Sequence, residues 1–206
     1  AAPAQPDPKS RILLLNSYHF GYVWSDHVVE GARQVIFDKL VQPEIFVEFM
    51  DTKRQSGREH LNLRYQSYKL KYRNTKFDAI LASDDSALQF LLRYADELFP
   101  DTPVVFCGVN DYDPNEVAHH RWFTGIADKL DVAATLDVAL RLRPQTRSVY
   151  VISDSSLTGV GERKAVVAAS AQYPHLSFHY LNGEDYTEAE LLDKLRAVPE
   201  DSVVLL

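Results

Sequence analysis

The 206 residues include a single cysteine, Cys107, so neither an internal disulfide nor a thiol-rich zinc or redox centre can form. A lone cysteine is expected to be a small buried apolar residue. Positive charge is not in excess: 22 Lys and Arg face 29 Asp and Glu, a formal charge of −7. With no basic run or stripe, nucleic acid is excluded as a partner. No apolar stretch approaches the ~20 residues that cross a bilayer, so any membrane attachment would come through segments outside this chain.

Catalytic signatures are missing as well. There is no Gly-x-Ser-x-Gly elbow and no phosphate-binding Walker loop. Gly159-Val160-Gly161 precedes a helix but lacks a third glycine and follows a late strand, whereas a dinucleotide turn opens its fold. No acidic pair follows the first strand, as a response regulator requires. His119 and His120 share a loop, while His175 and His179 bracket a strand, without carboxylates or thiolates at ligand spacing. Asp84 and Asp85 are neighbours on an entering helix and do not aim at one centre. The chain is therefore expected to be non-enzymatic, with no metal and no cofactor.

What is present is 46% hydrophobic residues in regular alternation of strand and helix. The first eight residues, Ala- and Pro-rich without periodicity, suit a mature exported protein or a disordered tail. Arg11 to Asn16 is an apolar run that suits a strand buried on both faces. A helix from Ser25 to Leu40 carries Val28, Val29, Ala32, Val35, Ile36 and Leu40 as a stripe. Glu44 to Met50 alternates like a strand near an edge, and a helix over 57–74 presents Leu61, Tyr65, Tyr68 and Tyr72. Strands over 77–82, 103–107 and 122–127 follow, with a helix between the first two that ends at Phe99. A helix over 129–143 then leads to a second set: strands over 147–153, 176–181 and 202–206, with helices over 159–172 and 187–197.

This pattern predicts an α/β protein of two doubly wound parallel-sheet lobes. The expected division is a tail over 1–10, a first lobe over 11–126 and a second over 127–206. The last strand has no helix after it, so the second lobe is expected to be incomplete and the chain a fragment of a longer protein.

Ligands of open parallel sheets bind outside the carboxyl ends of the strands. In the first lobe those ends carry Ser17 and Tyr18, then Asp51 to Lys53, Ser83 to Asp85, and Gly108 to Asn110. For each residue alone, a capping or turn role competes with ligand contact. The loop over 16–24 is dense in aromatics, with Tyr18, Phe20, Tyr22 and Trp24. Either it covers a ligand with an apolar or ring portion, or it folds back onto the first helix or the second lobe. In the second lobe Asp154, Ser155, Ser156 and Thr158 are polar contacts or a plain loop.

Five segments taken together carry a resemblance: RILLLNSYHFGYVWSDHVVEGAR, FDAILASDDSALQFL, TPVVFCGVNDYDP, WFTGIAD and LRLRPQTRSVYVISDSSLTGVGE. In order and spacing they resemble the ABC-transporter substrate-binding-like family, which has the type I periplasmic binding fold. The resemblance implies a ligand between two lobes, with closure about a hinge near Thr124 to Asp128 reporting occupancy. It implies first-lobe contacts at Ser17, Tyr18, Ser83, Asp84 and Asn110, and second-lobe contacts at Ser155 and its neighbours. Tyr22, Trp24, Asp51 and Asp154 join these from their places at strand ends. Members with the SYH-x-GY-x-WSD start are often extracytoplasmic sensor portions of bacterial histidine kinases or GGDEF-type diguanylate cyclases. Others are periplasmic solute-binding proteins of ABC transporters. The partner implied is a small molecule, an amino acid or another small organic solute, and a homodimer is compatible with the pattern.

Overall fold

The computed structural model describes residues 9–110, 112–128 and 130–206. The first eight residues of the expected tail, Asp111 at the head of the Pro- and Asp-rich loop and Lys129 lie outside the described residues. The chain divides into two compact units, Ala1–Asp128 and Lys129–Leu206.

The first unit runs β1 (Arg11–Asn16), α1 (Val23–Lys39), β2 (Glu44–Phe49), α2 (Arg58–Lys71), β3 (Ala79–Ser83), α3 (Asp85–Leu98), β4 (Val104–Val109), α4 (Pro114–Val117) and β5 (Phe123–Ala127). Its strands form one parallel sheet in the order β2-β1-β3-β4-β5. The chain leaves β1 to one side for β2 and returns to the other for β3, so the order reverses between β1 and β3. The apolar run Leu13 to Leu15 is almost wholly buried, and β2 is an edge strand with its residues partly exposed, as their alternation predicts.

The main buried cluster of this unit lies on one sheet face. Leu13, Leu15, Ile80, Ala82, Val104 and Phe106 meet Tyr68 and Tyr72 from α2 and Leu88 and Leu91 from α3. Phe77 stands edge-on to Tyr72 with ring centroids 5.1 Å apart and to Phe46 at 5.2 Å, spacings that add to the burial of these rings. Glu48 accepts hydrogen bonds from the Tyr72 hydroxyl, at 2.5 Å, and from Lys71 Nζ. A carboxylate with only 13% of its side chain exposed is thereby compensated.

α1, β4 and Cys107 depart from the sequence expectation. α1 begins two residues early, at Val23, because Asp26 N already donates to Tyr22 O at 3.0 Å. Its apolar stripe is wider than the arc it buries: Val28, Val29, Ala32 and Ile36 are half-buried, whereas Val35 and Leu40 are exposed. At about 100° per residue, Ser25, Ala32 and Ile36 share one direction and Val35 lies well off it. β4 continues through Gly108 to Val109 across an irregularity in its pairing with β5. Cys107 is half-buried, and burial, followed by the charges of Asp128 and Asp84, pushes its thiol up.

The second unit runs α5 (Val132–Leu142), β6 (Ser148–Ser153), α6 (Leu157–Ser170), β7 (Ser177–Asn182), α7 (Glu188–Arg196) and β8 (Ser202–Leu205). Its three parallel strands lie in the order β7-β6-β8, and its core gathers Leu136, Val149, Val151, Val166, Tyr173 and Leu176. α7 starts with a reciprocal cap: Glu190 N donates to Thr187 Oγ1 while Thr187 N donates to Glu190 Oε2 at 2.8 Å. That bond and the Thr187 hydroxyl hold the Glu190 carboxyl below its ordinary range.

Candidate functional site

At the carboxyl edge of the first unit, Ser17 is a structural node. Its Oγ donates to Ser83 O at 2.7 Å and accepts from Ala87 N at 2.8 Å, while its carbonyl takes both the amide and the hydroxyl of Thr52. One hydroxyl thus joins the end of β1 to the end of β3 and serves one of the free N–H groups at the start of α3. Asp84 has φ +75 and ψ 169, a backbone region that is essentially glycine's own, so the residue is strained and must be held there by its surroundings. Its side chain accepts from Asp85 N at 2.8 Å, and Asp85 Oδ1 accepts from Asn110 N at 3.0 Å. Ser17, Ser83, Asp84 and Asn110 are therefore brought together, with the first three buried.

The aromatic loop forms two further groups. Tyr18 is buried, with Tyr22 edge-on to it at 4.9 Å and Lys53 Nζ 5.0 Å from its ring centroid. Asp51, at φ +60, donates its N–H to Tyr18 O, and its Oδ1 lies 3.6 Å from His19 Nδ1 and 3.7 Å from Arg54 Nη1. Trp24 remains 42% exposed and packs on Gly108. A Cβ on Gly108 would stand 2.8 Å from Trp24 Cζ2, so a methyl there displaces the indole, and φ of +68 makes the backbone one that favours glycine. Phe20 is exposed, with its ring edge-on to Phe49.

Buried side-chain atoms without a hydrogen-bond partner concentrate at this edge. Five are found among the described residues; three of them, His19 Nδ1, Ser25 Oγ and Asp51 Oδ1, belong to the aromatic loop, the first turn of α1 and the end of β2. The other two, on Tyr68 and Ser202, lie elsewhere. An unsatisfied buried polar atom calls for a partner.

The second unit has its own carboxyl edge. Asp154 Oδ1 accepts from Ser156 N at 2.9 Å and from the Ser156 hydroxyl, whose oxygen in turn accepts from Gly159 N at 3.2 Å. A Cβ on Gly159 would fall 2.3 Å from Asp154 Oδ1. This glycine therefore lets α6 start tightly against its own cap, a role distinct from cradling phosphate. Ser155 is exposed. Arg163 also reaches this edge, its Nη1 donating to Asn182 Oδ1 at 2.5 Å and to Ser153 Oγ at 3.5 Å.

Sequence reasoning missed His19 and Arg163. His19 stands next to Tyr18, so a wider window would have included it. Arg163 lies ten positions beyond its strand and reaches the edge only through the packing of α6. Among the described residues, no group of three or more His, Cys, Asp or Glu side chains could hold a metal ion, and no helix is long and apolar enough to cross a membrane.

This architecture is that of the type I periplasmic binding proteins. An ABC domain from Streptococcus pneumoniae in complex with L-Trp aligns with a TM-score of 0.63 at 16% identity, over 85% of this chain and 57% of that one. A leucine binding protein from Thermotoga maritima also aligns at 0.63, with 15% identity over 91% and 53%. A solute binding protein of an ABC transporter from Rhodopseudomonas palustris, in complex with 3,4-dihydroxy benzoic acid, gives 0.63 and 11% over 96% and 54%. The chain thus spans a little over half the length of these structures, which fits a second lobe that is only partly present. No family model matches the sequence, and no curated protein does.

Proposed function

We propose that this protein binds a small organic solute outside the cytoplasmic membrane, without catalysis, as the sensor portion of a bacterial signalling protein of the histidine-kinase or diguanylate-cyclase kind. Occupancy is reported by closure of its two lobes, which requires the solute to bind the closed state more tightly than the open one. The observation that carries this reading is the gathering of buried polar atoms that make no hydrogen bond, Ser25 Oγ and the His19 Nδ1–Asp51 Oδ1 pair 3.6 Å apart, with the Tyr22 ring 5.6 Å from that of His19. Apolar rings with a few polar atoms seeking partners are what a small-molecule site requires. Tyr22, Trp24, Asp51 and Asn110 meet the solute on the first unit and Asp154 and Ser155 on the second. Ser17, Tyr18, Ser83 and Asp84 hold the edge in place.

The alternative, a solute-binding protein serving an ABC transporter, draws support from the Rhodopseudomonas palustris neighbour. What the gene encodes after Leu206 separates the two: a membrane span followed by a kinase or cyclase domain supports sensing, and a stop codon after the second lobe refutes it.

The binding claim is tested by a thermal-shift screen of amino acids, small carboxylates, purines and sugars. A solute at a hundred times its Kd stabilises the folded protein by about 2.7 kcal/mol. Trp24→Ala and Asn110→Ala are expected to abolish the shift while leaving the unliganded midpoint little changed. Undiminished affinity in both variants would place the site elsewhere.

A further inference from the structure

The second unit carries a feature that the reading above does not use. β6 is flanked by β7 on one side and β8 on the other, so the strand order reverses there, and ligands of open parallel sheets bind outside the carboxyl ends at such a point. A cavity of about 130 Å³ lies at this place, lined by Leu130, Thr135, Ser153, Val166 and Leu205 among others. A second opening of about 620 Å³ runs along α6 and β7, lined by Val160, Val167, Ala168, Tyr180 and Asn182 with Lys164. Arg163 is the one residue that lines both.

The Arg163 guanidinium is held in a fixed place. Ser153 and Asn182, its two partners, are paired in register as the last residues of adjacent parallel strands. Asn182 is itself oriented, its Nδ2 donating to Asp185 Oδ2 at 2.9 Å. Both groups that Arg163 touches are neutral, both are served by Nη1, and among the described residues no ion pair includes it. Of the two carboxylate side chains lining the smaller cavity, Asp131 is turned to cap α5, its Oδ1 accepting from Ala134 N at 3.0 Å, and Glu162, the residue before Arg163, forms no ion pair with it. A half-buried guanidinium without a counter-charge, with its Nη2 and Nε donors left over and apolar walls on either side, matches a carboxylate in bidentate geometry.

We propose that Arg163 anchors the carboxylate of a small anionic or zwitterionic ligand whose apolar part lies against the walls beside it. This rests on the chain being a solute-binding domain, and it names the class of solute. The probes are L-tryptophan, L-leucine and 3,4-dihydroxybenzoate, their carboxamides, and D-glucose, each added at millimolar concentration to wild-type protein, Arg163→Met and Arg163→Lys in thermal-shift titrations. At least one acid is expected to raise the midpoint of the wild type while its amide does not. Arg163→Met is expected to bind that acid about tenfold or more weakly, with Arg163→Lys in between, because lysine keeps the charge and loses the fork. The Arg163→Lys variant also controls for folding, since it retains a cation over Ser153 and Asn182. Equal binding of acid and amide, or undiminished affinity in Arg163→Met, overturns the proposal. A shift from glucose alone overturns the anionic class and leaves the solute-binding reading standing. No shift from any probe overturns the proposal, and the broader screen then decides the solute-binding reading separately.

Discussion

Gly108→Ala perturbs the contact between the aromatic loop and the sheet with the least chemical change. The added methyl would lie 2.8 Å from Trp24 Cζ2, and the backbone at φ +68 is one that L-residues adopt at a cost of about 1–2 kcal/mol. The steric part adds little, since Trp24 is 42% exposed and can swing outward. The expected loss of stability is therefore about 1–2 kcal/mol, dominated by the backbone, together with displacement of the indole toward solvent. The assay is urea unfolding of the first unit followed by fluorescence in a Trp122→Phe background, which leaves Trp24 as the lone indole of the two in the chain. A red-shifted native emission with a lower unfolding midpoint is predicted. A variant as stable as its parent, with unchanged emission, would refute both the backbone strain and the packing of Trp24 on β4.

Ser17→Ala removes a donor to Ser83 O and an acceptor for Ala87 N in a site that is 1% exposed. An amide left unpaired in such a place costs about 1–3 kcal/mol, and hydrogen exchange should accelerate first in the opening turn of α3; unchanged exchange there would contradict the role given to the hydroxyl. Alkaline pH should act through the tyrosines of α2. Burial raises the phenols of Tyr68 and Tyr72 above their ordinary value, and for Tyr72 the bond to Glu48 raises it further. The folded state thus keeps protons that the unfolded state releases. The stabilisation is complete below the ordinary tyrosine value, about 10, and is lost as pH rises from there toward the folded values. Urea midpoints should fall above about pH 10, less steeply in Tyr72→Phe, and a flat profile would contradict this.

The alternation of strand and helix was legible because the runs Ile12 to Leu15 and Ile80 to Ala82 are apolar throughout and Pro43, Pro100 and Pro144 punctuate the connections. The boundaries that shifted have local causes: a turn at Tyr22 that winds directly into α1, and a register irregularity that carries β4 past Gly108. Which strand-end residues face a ligand was not legible. A serine or aspartate at a strand end is equally suited to capping, and the hydrogen bonds of Ser17 and Asp84 show that role filled internally. Arg163 could not be found by position along a strand, since only the register of Ser153 opposite Asn182 and the placement of α6 bring it to the sheet edge.

The most direct test of the account is hydrogen exchange by mass spectrometry on the protein with and without whichever solute raises its melting point. Protection is predicted in the aromatic loop over 17–24, after β2 over 51–53, and at Gly108 to Asn110, with a second patch over 153–163. Protection confined to the opposite edge of the first sheet, where Arg73, Lys76, Glu97 and Asp101 line another opening, would contradict a solute site at the carboxyl ends of the strands.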